Sequence, residues 1–245
     1  RLKYIHIHMS VHTFQIIDWY SENADVEDIT SDDDNESENS DNSIDYSKYK
    51  YKIIVFGKDL DERTYSLQIN DFTPYYYVRV PQNFTESDID TFEMWLKQHL
   101  PKEHKNDLIK TTLHKKRKFR GFDKNKKFKF VRMVFKNSIA MKKSIGIFQD
   151  KTWDEENKKY INIRPKKIYI PGITDKAFVF ELYDNMIDPT IRFIHHAEIK
   201  LVGWIKATKC TERIDNLSKC DYNLETNWKN IENVESDDNA KIKIM

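Results

Sequence analysis

The chain has 245 residues, of which 39% are hydrophobic and 33% are charged, and its formal net charge is +1. This composition is enough for one large domain or two small ones, and it excludes a largely disordered chain. No apolar run approaches the ~20 residues that a membrane-spanning helix needs, and the first residues lack a signal-peptide pattern, so we expect an intracellular protein.

The near-zero net charge conceals two segments of opposite charge. Residues 22–45 carry eleven acids and no bases, whereas residues 110–143 carry fourteen Lys and Arg against one acid, Asp123. The acidic segment has too few apolar side chains to offset the entropy of ordering it. We therefore predict a disordered acidic loop over residues 22–47, with partner recruitment or DNA mimicry as the alternative.

The N-terminal part is predicted to be strand-rich. Residues 1–12 are interpreted as an extension, since His6, His8 and His12 have no carboxylate or Cys nearby to complete a metal site. Bulky β-formers separated by polar turns then predict three strands. These strands cover residues 13–20, 49–56 and 64–69.

The middle of the chain shows a strand, helix, strand, strand, helix, strand order. These elements cover residues 75–80, 85–100, 108–119, 128–135, 137–148 and 166–170. The first helix begins at Thr85, with Asp88 three residues later as a weak capping box, and Phe92 and Leu96 follow at helical spacing. This order is typical of the ferredoxin-like fold, so we predict a ferredoxin-like (RRM-like) subdomain over residues 72–172.

Residues 183–204 are predicted to form a strand end, a turn and a short helix that closes on a buried tryptophan. Asp188 followed by Pro189 is a helix-start signal. The apolar side of this helix is expected to consist of Ile191, Ile194 and Ala197. Beyond residue 210 the chain becomes polar, and residues 211–245 are predicted to be a linker.

The basic segment is the candidate binding site. Its cations are interleaved with Phe119, Phe122 and Phe128, which suits phosphate neutralisation beside rings that could stack on bases. The candidate nucleic-acid-binding residues are Lys115, Lys116, Arg117, Lys118, Arg120, Lys124, Lys126, Lys127 and Lys129. The alternative is a solvated hairpin that only keeps the domain soluble.

Sequence motifs for catalysis are missing. The chain has no P-loop, no dinucleotide-binding glycine pattern and no Gly-x-Ser-x-Gly elbow, and no paired carboxylates in an apolar strand. Cys210 and Cys220 have no partners at zinc-site spacing and are expected to be free thiols. We therefore predict no catalytic residue, no metal ligand and no cofactor within this chain.

Three segments resemble the family B DNA polymerases, above all the delta-like enzymes of eukaryotes and large DNA viruses. They are residues 72–78 (FTPYYYV), residues 119–148, with their alternating Phe and Lys, and residues 183–204. In the last segment the resemblance lies in Tyr183, Asn185, Ile187, Arg192, Phe193 and Trp204. These residues are interpreted as a structural family motif.

The resemblance implies an α+β N-terminal polymerase domain over residues 13–210, in which a mixed, barrel-like sheet carries the inserted ferredoxin-like subdomain. The linker 211–245 would then lead to a missing exonuclease domain. The full enzyme would be a Mg²⁺-dependent DNA-directed DNA polymerase with 3′–5′ exonuclease activity. Its catalytic carboxylate motifs are absent here, so this part would brace the exonuclease and palm and contact the template strand.

The partners implied are template–primer DNA, the remaining domains of the same protein and a sliding clamp. The expected location is the host nucleus or a cytoplasmic virus factory. The residues alone leave a second possibility open, a stand-alone single-stranded nucleic-acid-binding module with an RRM-like sheet.

Overall fold

The chain was analysed as a computed structural model, which describes residues 10–24, 49–118, 126–213, 218–236, 238 and 240. Most of the predicted extension and of the predicted acidic loop lies outside these residues. The described part forms two compact units. Unit 1 contains residues 10–24, Lys50–Phe72 and the described residues from Asp188 onwards, and unit 2 contains Tyr49 and Thr73–Ile187.

Strands predominate among the described elements. In chain order the strands are β1 (Ser10–Ala24), β2 (Lys50–Lys58), β3 (Thr64–Asn70), β4 (Tyr75–Arg79), β5 (Leu108–Lys116), β6 (Phe128–Phe135), β7 (Gln149–Asp154), β8 (Lys159–Pro165), β9 (Lys167–Ile168), β10 (Phe178–Val179), β11 (Leu182–Tyr183), β12 (Trp204–Glu212), β13 (Tyr222–Asn227) and β14 (Ile231–Val234). The helices are α1 (Ile89–His99), α2 (Ser138–Phe148) and α3 (Pro189–His196). The prediction of a mixed α+β chain is confirmed.

Unit 1 contains a sheet whose described strands pair in a ring. The order runs β1, β2, β3, β13, β12 and back to β1, and β14 pairs with β12. The β3–β13 pair is parallel, and the other pairs are antiparallel. The ring brings together strands from the start and the end of the chain.

The prediction of a polar linker over residues 211–245 differs from the structure, because β13 and β14 belong to this sheet. In β13 the buried side chains are Leu224 and Thr226, which alternate with less buried polar residues. In β14 the buried side chain is Ile231. One or two apolar residues in a short strand give too weak an alternation to predict the strand from sequence.

Stacked aromatic rings join three strands of unit 1. Phe14 of β1 stacks on Tyr65 of β3 with 4.7 Å between ring centroids, and Tyr65 stacks on Tyr222 of β13 at 4.9 Å. Tyr65 and Tyr222 are directly opposite each other in the parallel pair. Stacking of this kind adds to the burial energy of the rings and fixes the register of the strands.

Helix α3 begins as the sequence predicts. The Asp188 carboxylate accepts a hydrogen bond from the Thr190 amide at 2.8 Å, and Pro189 takes the first helical position. The predicted apolar side is wrong at Ile191, whose side chain is 41% exposed. Phe193 is fully buried instead, because the packing side of this short helix is turned towards Trp19 and Phe72.

Unit 2 contains a four-stranded sheet with the order β11, β4, β6, β5, in which every neighbouring pair is antiparallel. Helices α1 and α2 share one hydrophobic core with one face of this sheet. Its members include Tyr76, Val78, Phe92, Leu96, Val131, Met133, Phe135, Met141 and Phe148. The buried hydroxyl groups of Tyr76 and Ser144 are hydrogen-bonded at 2.8 Å, which satisfies the polar end of the tyrosine.

The edge strand of this sheet differs from the prediction. Residues 166–170 were expected to supply it, but β9 pairs with β10 in a separate two-stranded sheet. Strand β11 lies at the edge instead and pairs with β4. A strand of two residues is too short to show the alternation of buried and exposed side chains. The sequence therefore cannot tell whether β9 or β11 joins the four-stranded sheet.

Helix α2 begins at Asn137, which is fully buried. Its side-chain oxygen accepts a hydrogen bond from the Ala140 amide at 2.8 Å, and its amide group donates to Asp107 Oδ2 at 3.2 Å. Asp107 Oδ2 also lies 2.8 Å from Nδ1 of His104.

Among the described helices, none is long and apolar enough to cross a membrane.

Candidate nucleic-acid interface

The two faces of the unit 2 sheet differ in chemistry. Successive side chains along a strand point to opposite faces of the sheet. Every second residue of these strands packs against the helices, and the residues that alternate with them point to the opposite face. We call this opposite face the cationic face. Its described members are Tyr75, Tyr77 and Arg79 of β4, His114 and Lys116 of β5, Phe128, Phe130 and Arg132 of β6, Tyr183 of β11, and the adjoining Lys118 and Lys126.

Cations lie over aromatic rings along two strands of this face. The ammonium group of Lys116 is 4.0 Å from the centroid of the Tyr77 ring and donates a hydrogen bond to its hydroxyl at 2.8 Å. The guanidinium of Arg132 lies 3.7 Å above the ring of Tyr75. These distances are within the range of cation–π attraction, which holds each charged group over its ring.

The ring of Phe128 is surrounded by positive charge. The guanidinium of Arg79 and the ammonium of Lys118 are each 4.9 Å from its centroid, and the ammonium of Lys126 is 5.6 Å away. The side chain of Phe128 is only 7% exposed. The predicted use of Phe128 as a stacking surface is therefore wrong for this structure, because its faces are occupied by cations.

The carboxylate of Glu181 joins two of these cations to a tyrosine. Its oxygens accept hydrogen bonds from Arg79 Nη1 at 2.8 Å, from Lys118 Nζ at 3.1 Å and from the Tyr183 hydroxyl at 2.7 Å. The backbone also takes part, since the Arg79 amide donates to the Glu181 carbonyl at 2.8 Å. The cluster therefore combines a fixed backbone with a carboxylate that meets three donors.

The titration behaviour of this cluster follows from its contacts. Partial burial alone would raise the pKa of Glu181, but the hydrogen bonds from Tyr183, Lys118 and Arg79 outweigh it and hold that pKa below its usual value. Burial likewise opposes the charge on Lys118, yet its hydrogen bond to Glu181 raises the Lys118 pKa. Both groups are therefore charged at neutral pH.

The predicted binding residues have different environments. Lys115, Lys116 and Arg117 are exposed at the end of β5, Lys126 and Lys127 are exposed before β6, and Lys118 is half-buried. Arg120 and Lys124, like Phe119 and Phe122, lie outside the described residues.

Lys129 has a structural contact of its own. It lies on the helix side of β6, where its ammonium donates to the Phe84 carbonyl at 2.6 Å.

Three charged residues on or beside the cationic face were not among the predicted binding residues. Arg79 in β4 and Arg132 in β6 point to the same face of the sheet as the aromatic residues Tyr75, Tyr77 and Phe130. Glu181 immediately precedes the edge strand β11. The alternation of strand residues could have placed the two arginines on this face. The pairing of β11 with β4, which brings Glu181 close to Arg79, has no short-range signal.

The family motif residues are divided between packing and contact roles. In unit 1, Phe193 and Arg192 are buried, and Trp204 donates from Nε1 to the Asp238 carbonyl at 2.7 Å. In unit 2, Tyr183 belongs to the cationic face, Asn185 is half-buried and Ile187 is exposed. The motif therefore consists mainly of structural residues, with Tyr183 as the member that touches the charged cluster.

No metal centre emerges from the described side chains. They contain no group of three or more His, Cys, Asp or Glu residues that could hold a metal ion. The two cysteines in the described part are free thiols, as predicted.

Comparison with known proteins gives consistent relatives. No protein-family model matches the chain. The chain is 30% identical over 208 residues to the DNA polymerase of Acanthamoeba polyphaga mimivirus, in an alignment that covers 80% of this chain and 11% of that protein. It is 29% identical over 238 residues to the DNA polymerase of Pyramimonas orientalis virus, in an alignment that covers 95% of this chain and 16% of that protein.

A solved structure shares the fold. The family B DNA polymerase from the hyperthermophilic archaeon Pyrobaculum calidifontis superposes with a TM-score of 0.50 at 13% sequence identity. The match covers 87% of this chain and 19% of that one. The chain thus spans between about a tenth and a fifth of the length of the proteins that it matches.

Proposed function

We propose that this chain, a homologue of the family B DNA polymerases and of the DNA polymerases of large DNA viruses, is the non-catalytic N-terminal part of a replicative enzyme. In this proposal the exposed cations at one end of the unit 2 sheet contact the single-stranded template. The domain also braces the exonuclease and palm domains of the same protein. The full enzyme would add dNTPs to a primer in the host nucleus or a cytoplasmic virus factory.

The observation that carries the DNA contact is the concentration of positive charge on one end of the unit 2 sheet. Lys115, Lys116 and Arg117 are exposed at the end of β5, and Lys126 and Lys127 are exposed before β6. These strands are neighbours and Lys116 is opposite Phe128, so their cations lie at the same end of the sheet. Such a patch attracts phosphates irrespective of sequence, as contact with a template requires.

The strand order supports the finer assignment of unit 2 to the ferredoxin-like fold. Two β-α-β halves with the order β11, β4, β6, β5 and uniformly antiparallel neighbours are what that fold requires. The same sheet serves in stand-alone modules that bind single strands by stacking bases on ring faces. That alternative is less favoured, because Tyr75, Phe128 and Phe130 are each less than 10% exposed.

The DNA contact can be tested with the 245-residue chain and a fluorescein-labelled oligothymidylate of about 20 nucleotides, by anisotropy at several salt concentrations. The test variant replaces Lys115, Arg117 and Lys127 by Gln. We expect its affinity to fall at least about tenfold at low salt. The slope of log affinity against log salt should become shallower by up to about 2, since each lost phosphate contact on a single strand contributes about 0.7.

The matched control replaces three exposed lysines outside the patch, Lys102, Lys142 and Lys143, by Gln. It makes the same change in net charge, so it corrects for long-range attraction. Equal losses for the two triple variants would contradict a contact at the patch. Absence of binding by the unmodified chain at low salt would overturn the proposed DNA contact altogether.

A further inference from the structure

The donors around Glu181 are held in place by contacts that do not involve its side chain. Arg79 lies over Phe128 and its backbone amide donates to the Glu181 carbonyl, and Lys118 lies over the same ring. Tyr183 is fixed by an edge-to-face contact with Phe130, with 5.1 Å between centroids. The three donors therefore form an anion-binding arrangement that persists if the carboxylate moves away.

The Glu181 side chain, in contrast, is able to leave this arrangement. About a third of it is exposed (35%), and its contacts in the cluster are hydrogen bonds to Arg79, Lys118 and Tyr183. A side-chain rotation would release these donors while the backbone bond between Arg79 and Glu181 stays intact. A phosphate group, with several acceptor oxygens and a full negative charge, suits the same donors.

We propose that Arg79, Lys118 and Tyr183 form a binding site for one backbone phosphate of a single-stranded nucleic acid, and that Glu181 fills this site until the strand displaces it. This inference rests on the proposed function, since it supplies a specific site for the template contact. It assigns an inhibitory role to Glu181 and a positioning role to Phe128, which holds the two cations. Because the ring is covered, the site recognises the phosphate and is indifferent to the base.

The test is the substitution Glu181→Gln, measured with the same oligothymidylate assay. Removing the competing carboxylate should tighten binding by about two- to fivefold at low salt, which is the value of one exposed ion pair. In the free Glu181→Gln variant, anions from the solution would neutralise Arg79 and Lys118. Binding of the strand would release these anions. The salt slope should therefore become steeper, because these anions are released in addition to the counterions of the phosphates.

The matched control is Glu155→Gln, which removes one exposed negative charge in the turn between β7 and β8 of the same unit. A double-mutant cycle with Lys118→Gln separates occupation of the site from general electrostatics. In the Lys118→Gln background, Glu181→Gln should gain clearly less than in the unmodified chain. An oligomer of abasic deoxyribose phosphates of the same length should respond to Glu181→Gln as oligothymidylate does.

The outcomes separate the two proposals. Equal effects of Glu181→Gln and Glu155→Gln, with a loss of affinity in the Lys115, Arg117 and Lys127 variant, would overturn the phosphate site and leave the proposed function standing. Weaker binding by Glu181→Gln, or a gain confined to strands with bases, would also overturn the site. No binding by any form would remove both proposals. If Glu181→Gln fails to fold by circular dichroism, Glu181→Ala takes its place.

Discussion

The ring of Phe14 on β1 lies against Gly57 on the neighbouring strand β2, in space that any other residue would fill with its Cβ atom. A methyl group added at Gly57 would overlap the Phe14 ring and would lie 2.5 Å from the Gln15 carbonyl oxygen. The Phe14 ring is also stacked on Tyr65. Phe14 therefore has no room to retreat, and Gly57 is required by packing.

Replacing Gly57 by Ala should consequently destabilise unit 1. We expect a loss of about 1 to 3 kcal/mol in the free energy of unfolding, because an extra carbon in a packed site forces backbone shifts. Urea unfolding followed by circular dichroism would measure it. The control is Gly146→Ala in α2, where the added atom meets nothing within 4 Å and stability should stay the same or rise by up to about 1 kcal/mol. Equal stability of the two variants would contradict the packing argument.

The hairpin between β2 and β3 depends on the buried carboxylate of Asp59. It accepts hydrogen bonds from the amides of Asp61 and Arg63, from Arg63 Nε at 2.7 Å and from the Tyr65 hydroxyl at 2.8 Å. Burial alone would raise the pKa of Asp59, but the bonds from Tyr65 and Arg63 outweigh it and lower that pKa. The stabilisation is thus fully present above the unfolded pKa of about 3.9, and it is lost as pH falls through the lower folded value.

The substitution Asp59→Asn should remove this acid dependence. At pH 7 the variant should be less stable by about 1 to 3 kcal/mol, because neutral hydrogen bonds replace charge-assisted ones and one donor loses its acceptor. Its stability should then change less between pH 5 and pH 2 than that of the unmodified chain. Asp61→Asn is the control, since that side chain is 74% exposed and its ion pair with Arg63 should contribute less than about 1 kcal/mol. Parallel stability curves for the unmodified chain and Asp59→Asn would rule out this role.

The two thiols should react at different rates. Cys210 is fully buried in β12, and burial raises the pKa of its thiol to about 11, whereas Cys220 is partly accessible. Since the thiolate is the reactive form, a disulfide reagent at pH 8 should modify Cys220 first and Cys210 only on the time scale of unfolding. Cys220→Ser should abolish the fast phase and Cys210→Ser the slow one. A single common rate would show that β12 opens readily.

The start of α2 offers a test of the buried Asn137–Asp107 contact. In Asn137→Asp the oxygen that caps Ala140 is retained, but the donor to Asp107 is replaced by a second carboxylate. We expect a loss of at least about 2 kcal/mol in the free energy of unfolding at neutral pH, measured by urea unfolding, because two carboxylates would then face each other in a buried site. Asp188→Asn at the start of α3 is the control, because it keeps the cap acceptor without approaching an acid and should cost less than about 0.5 kcal/mol.

Local signals predicted much of the fold. The Asp188–Pro189 pair correctly marked the start of α3, and helical spacing of Phe92 and Leu96 correctly marked α1. Strand β13 was missed because its main partner, β3, lies more than 150 residues earlier in the chain. Few apolar residues are needed in a strand whose neighbours supply most of the core, so a polar sequence can still complete a sheet.

The candidate site shows the same limit. The sequence predicted the lysines of the basic segment by composition, but it could not tell that Lys129 points to the helix side of β6. The role of Glu181 could not be predicted, because its contacts with Arg79 and Lys118 depend on the pairing between β11 and β4. Charge can be counted along a chain, whereas the position of an opposing charge depends on strand register.

The ring of unit 1 also has a consequence for the order in which a ribosome delivers its parts. Strand β3 ends at Asn70, and its second neighbour β13 begins only at Tyr222, after the whole contiguous stretch Thr73–Ile187. At roughly 5 to 20 residues per second, translation leaves the far edge of β3 unpaired for several seconds or longer. An open strand edge is a template for intermolecular pairing. The emerging chain therefore spends its period of greatest aggregation risk while unit 2 is being completed, and nascent-chain chaperones would have their greatest effect in this interval.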